Sequence, residues 1–182
     1  MMKKNTILTI CLSLFLTGGF FSQQTVYVAA SAAGNSDGTS EENAYGNFAT
    51  ALVDINSAGD KLIVIGTVTV GAATIWNKNF AFTIEGKDVT STITGNSGTS
   101  RLFTLNQPTT INVTFKDLTF SNYNTTLAGG GVLLSNNAGA TVTFDNCIIT
   151  GNSVTNNQGG GAISFANGTL NIIDSSFENN TS

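Results

Sequence analysis

Of the eleven acidic side chains in this chain, four sit where oxygen ligands could gather around a cation. Asp37 and Glu41 lie in the loop "NSDGTSEE", flanked by Asn35 and Glu42, and Asp117 and Asp174 occupy the same place in a repeated unit described below. Carboxylate and amide oxygens suit a hard cation, calcium first. The loop lacks the regular spacing of a calcium loop, and Asp is favoured in turns for backbone reasons, so the turn reading leads and no cofactor is expected. Trp76 and Tyr123 could stack on sugar rings if exposed, against a competing role in core packing, which Tyr45 shares. No catalytic set is recognised. The chain has no histidine, which removes the commonest general base and transition-metal ligand, and its one arginine is Arg101. Cys147 follows a turn residue and reads as a small buried filler rather than a reactive thiol.

Composition frames these residues. Only 10% of the 182 residues are charged, against about 25% in ordinary soluble proteins, and Gly, Asn, Thr and Ser fill the deficit. That mixture favours turns and strands over helix. Lys3 and Lys4 precede an apolar run from Ile7 to Phe21, the layout of a secretory signal peptide over residues 1–22, with cleavage near Ser22 and Ala30 as the alternative. Cys11 lacks the small preceding residue of a lipoprotein site. Removing the signal leaves five basic groups against eleven acidic ones, a charge balance opposed to nucleic-acid binding. One cysteine then remains, so no intrachain disulfide can form.

What must position the candidate groups is a repeat. With Val113, Val142 and Leu170 as position zero, position two is Phe115, Phe144 and Ile172, and position four is Asp117, Asn146 and Asp174. Position seven is Phe120, Ile149 and Phe177, and position ten is Tyr123, Asn152 and Asn180. The same offsets fit upstream at Phe82, Ile84, Gly86 and Val89, and more loosely at Ile63, Ile65, Thr67 and Val70. Positions zero and two are apolar around a polar neighbour, the period of a strand with one buried face. A lone unit cannot bury that face, whereas stacked units can. The glycine triplets Gly129–Gly131 and Gly159–Gly161 recur at the same interval and are expected where the backbone bends into the next strand. An antiparallel sandwich has no need of such fixed offsets.

Upstream, Asn47 can cap a helix running to Asn56, with Phe48, Ala51, Leu52 and Ile55 on one face and Gly59 ending it. Such a helix would close the first coil. The expectation is therefore an all-β parallel β-helix solenoid with a short N-terminal capping helix, and the family resemblance given next implies that it is right-handed. Its divisions are a signal at 1–22, a cap at 23–60 and coils at 61–182, with further coils expected past Ser182.

Thr25 to Val68, with Asp37-Gly38-Thr39, Phe48-Ala49-Thr50 and Gly59-Asp60, resembles the entry segment of secreted pectin-lyase-like β-helix proteins. Gly160-Gly161-Ala162-Ile163 and Phe177-Glu178-Asn179-Asn180 resemble the repeats of chlamydial polymorphic outer-membrane and adhesin-like proteins. The resemblance implies an exported, non-catalytic, adhesin-like scaffold, secreted or displayed at a bacterial cell surface or outer membrane. Its partners would be extracellular glycans or host and cell-surface proteins, with no nucleic acid and no span of the membrane in this segment. The alternative it implies is the front part of a polysaccharide lyase or glycoside hydrolase, with catalytic residues beyond residue 182.

Overall fold

The computed structural model describes residues 22–71, 74–75, 78–96, 100–106, 110–156 and 159–182. Most of the expected signal segment, with Cys11, and the ring of Trp76 lie outside them. The chain winds as a parallel β-solenoid, with one helix among the described residues. Its largest sheet has six strands: β1 (Thr25–Ala29), β2 (Lys61–Ile65), β5 (Ala81–Gly86), β8 (Ile111–Lys116), β12 (Ala140–Asp145) and β16 (Thr169–Ile173). A second sheet stacks β3 (Thr67–Thr69), β6 (Thr92–Thr94), β9 (Thr119–Ser121), β13 (Ile148–Thr150) and β17 (Ser176–Glu178). A third holds β4 (Thr74–Ile75), β7 (Phe103–Leu105), β11 (Leu133–Ser135) and β15 (Ile163–Phe165), and β10 (Asn124–Thr125) pairs with β14 (Ser153–Val154). Every one of these pairings is parallel.

The offsets read from the sequence are the register of the stack. Val142 pairs with Val113 on one side and Leu170 on the other, Phe144 with Phe115 and Ile172, and Ile149 with Phe120 and Phe177. Strand alternation turns these side chains inward: Ile111, Val113 and Phe115 are buried while Asn112 is exposed. The aromatic members knit three sheets together. Phe115 stacks on Phe103 and Phe144 at 5.1 and 5.0 Å, and Phe120 meets Phe115 and Phe144 edge-on at 5.3 and 5.6 Å.

Two upstream assignments need correction. The inward residues of β2 are Leu62 and Val64, with Leu62 opposite Ile84, so Ile63 and Ile65 belong to the other face. A one-residue slip exchanges the faces of a strand, and a run of consecutive apolar residues offers no pattern against which to detect it. Position seven of the next unit is Ile93, paired with Phe120, rather than Val89, which is 95% exposed. Eleven residues separate Phe82 from Ile93 where seven separate Val113 from Phe120, so a four-residue insertion carries Val89 out of the stack.

The corners explain the Asn, Asp and Gly content. Asp117, Asn146 and Asp174 have φ of 53°, 51° and 45° after the first sheet, and Asn122, Gly151 and Asn179 have 59°, 64° and 52° after the second. Left-handed backbone is tolerated best by these residue types, so the corner dictates the composition. The glycine triplets lie in the expected bends before β11 and β15, where Gly129 and Gly159 have φ of 96° and 119°, and they answer a second need as well. A Cβ on Gly130 would lie 2.4 Å from the Ala162 carbonyl oxygen, and one on Gly161 would lie 2.3 Å from that of Thr181. Successive turns pass too close there for any side chain.

Helix α1 (Phe48–Asp54) forms where the sequence places it, Asn47 accepting from the Thr50 amide at 3.0 Å, and it packs against β1 through Phe48, Ala51 and Leu52. It ends before Gly59, because the chain is gripped by Asp60. That buried carboxylate accepts from the amides of Gln24, Asn56 and Ser57 at 3.0, 2.9 and 2.8 Å. Segment 23–60 is thus joined to the coils by β1 as well as by the helix.

Position ten carries the polar counterpart of the apolar ladders. Asn152, 0% exposed, accepts from the Tyr123 amide at 3.0 Å and donates to the Phe120 carbonyl at 3.2 Å. Its Nδ2 also donates to Asn180 at 2.9 Å, and Asn180 repeats the pattern on the Asn152 amide and the Ile149 carbonyl. An Asn152→Ala variant leaves buried main-chain groups unpaired, and we expect a loss of about 3 kcal/mol in urea unfolding. A loss within error would show that the ladder is not what holds this corner.

Candidate functional site

The four-residue insertion helps to build a groove. The turn after β5 stands over the start of β9 and β13 and leaves a groove of about 320 Å³, lined by Glu85–Val89, Asp117–Thr119, Asn146 and Ile148. Asp88 is held by its own turn, its Oδ1 accepting from the Thr90 amide at 2.9 Å and hydroxyl at 2.6 Å. These bonds hold its carboxyl below the ordinary carboxylate range. Asp117 accepts from Asn146 Nδ2 at 2.6 Å, one rung along the corner ladder.

The cations beside the groove are already engaged. Glu85 pairs with Lys61 at 2.5 Å and lies 3.8 Å from Lys116, which is also 3.8 Å from Asp117, and Lys87 pairs with Glu41. Asp88 forms none of these ion pairs, although the charge of its neighbour Lys87 also favours its ionised form. Val89 and the 44% exposed Ile148 supply apolar surface. Asp88 and Ile148 escaped the sequence reading, and Val89 was assigned to the stack. Their signal was available: Asp88-Val89-Thr90 repeats the turn chemistry of Asp37-Gly38-Thr39, where Asp37 accepts from the Thr39 amide and hydroxyl at 3.0 and 2.6 Å and is likewise held low.

The residues considered for a cation are not brought together. Asp117 and Asp174 stand two rungs apart, about 10 Å at strand spacing, with Asn146 between them, too far to share an ion bound at roughly 2.3–2.6 Å. Asp37 is satisfied by Thr39, while Glu41 turns to Lys87. Among the described residues no group of three Asp, Glu, Cys or His side chains is placed to hold a metal.

Tyr123 is not a sugar platform: it is 0% exposed, because its corner position points into the stack. Its hydroxyl finds no hydrogen-bond partner among the described residues, and burial pushes its pKa up. Tyr45 is half-buried and donates to Asp54 at 2.5 Å. Arg101 is 4% exposed. Its Nε donates to the Gly130 carbonyl at 2.6 Å and its Nη2 to that of Ala128, tying it to the first glycine triplet. Cys147 is buried against the Phe115 and Asp145 carbonyls, and burial pushes its thiol up to about 11. No helix among the described residues is long and apolar enough to cross a membrane.

Comparison with protein-family models, with curated proteins and with solved structures finds no match. The family resemblances therefore rest on the quoted motifs, and the geometry carries the parallel solenoid.

Three measurements follow. Tyr123→Phe removes a buried hydroxyl that has no partner among the described residues, so its urea midpoint should rise, by about 1 kcal/mol in stability; a fall would mean that a water or another group satisfies it. The Cys147 thiol should resist a thiol reagent in the folded protein and react once unfolded. Its folded pKa lies above its ordinary 9.0, so its contribution to stability is complete below about pH 9 and fades as pH climbs towards 11. The buried Tyr123 acts in the same direction. A Cys147→Ala variant should show a shallower alkaline decline, and an unchanged slope would contradict the assignment.

Proposed function

We propose that this chain is an exported, non-catalytic, adhesin-like scaffold: a right-handed parallel β-helix, closed at its first coil by α1 and displayed outside a bacterial cell as a stiff binding surface. The observation that carries the reading is Arg101. Lyase chemistry of the pectin-lyase-like class draws on arginine or lysine beside Asp clusters, and the single arginine here is spent inside the stack on main-chain carbonyls. The groove carboxylates add to this. Asp88 is held in its ionised form by Thr90, the opposite of a proton donor poised for acid catalysis. Fixed apolar and amide ladders support a rod whose outer residues are free to vary around an unvarying interior.

Protease treatment of intact expressing cells, together with a cleavage assay on polygalacturonate and alginate, tests both halves. Degradation at the surface with no turnover is the expected result. Sustained turnover, or complete protection in unbroken cells, would overturn the reading and return the polysaccharide lyase or hydrolase to first place.

A further inference from the structure

Three features of the groove converge on one kind of partner. It is concave and about 320 Å³ in volume, the scale of one long side chain and its flanking backbone. Its exposed walls include the apolar side chains of Val89 and Ile148. Its charge is acidic on balance: Glu85, Asp88 and Asp117 line it together with Lys87, which is drawn outward to Glu41 and reaches Asp88 only as a nearby charge, while Lys61 and Lys116 are taken up by Glu85 and Asp117. An alkyl stem against an apolar wall with a cationic head on a carboxylate is how lysine and arginine lie on protein surfaces. A polyuronate is disfavoured by the same charges.

We propose that the groove between the Lys87–Thr90 turn and the Asp117–Asn146 corner docks a lysine or arginine side chain from an extended basic segment of a partner protein. The inference takes its extracellular setting from the scaffold reading, and it deepens that reading by naming the partner's chemistry. Arginine is the better fit, since its planar fork can bond a carboxylate through two N–H groups.

The test is fluorescence anisotropy of a labelled hexa-arginine peptide on the full chain. The paired variant Asp88→Asn with Asp117→Asn keeps each turn acceptor, and Asn146 already occupies the same left-handed corner as Asp117. Asp174→Asn with Glu178→Gln removes equal charge two rungs away and serves as the control. Saturable binding that weakens about tenfold in the groove pair, and less than about twofold in the control pair, supports the proposal. Equal weakening in both pairs would reduce the effect to net charge and overturn it. So would an absence of saturable binding, or stronger competition by a glucosamine oligomer than by unlabelled peptide. Matching urea midpoints show that the variants fold. Polysaccharide turnover would sink the scaffold reading without touching this measurement, and failure of the peptide leaves that reading standing.

Discussion

The constraint behind this structure is that no coil can bury its own interior. Phe115 is covered because Phe144 and Ile84 lie on either side of it in register, and the same holds along the stack from Leu62 to Ile172. At the growing end of the described stack the cover thins: Ile172 and Phe177, inward residues by register, are 49% and 42% exposed. Stability in such a fold is a sum of neighbour terms rather than the property of one centre. The polar ladder obeys the same logic. Asn152 and Asn180 take the corner amides and carbonyls that the strand pairs leave over, so a buried amide side chain works here as an extension of the main chain.

This explains which parts of the fold were legible in the sequence. Parallel in-register stacking copies a residue's environment from one turn to the next, so Val113, Val142 and Leu170 announce their contact by residue type alone. The helix was legible for a local reason, Asn47 and one apolar stripe. Legibility failed where copying was interrupted. Val89 was misplaced because an insertion breaks the count, and Ile63 because an apolar run has no face. Asp60 was invisible as a buried clamp, since its three partners lie on separate segments and share no spacing.

The candidate site was less legible than the fold. Of the groove residues, Asp117 was singled out, but for a partnership with Asp174 that rung spacing forbids. Glu41 was noted as a ligand and serves instead to neutralise Lys87, forty-six residues away. Tyr123 shows the limit from the other side: an aromatic in a polar repeat position suggests display, yet the register that names the position also buries the ring.

The corners join architecture to surface chemistry. Left-handed backbone restricts position four to Asn, Asp or Gly, but between Asn and Asp the fold has little preference, since both tolerate the conformation and both present an oxygen to the next rung. Asp117, Asn146 and Asp174 show the two alternating in one ladder at nearly equal φ. Charge at that corner is therefore adjustable at small cost to the stack. The inserted turn sets Asp88 and Val89 against the Asp117 end of the ladder, beside Asn146. A solenoid can acquire a site in this way without altering a single interior residue, because its inner ladders are determined by stacking while its corner charges are not.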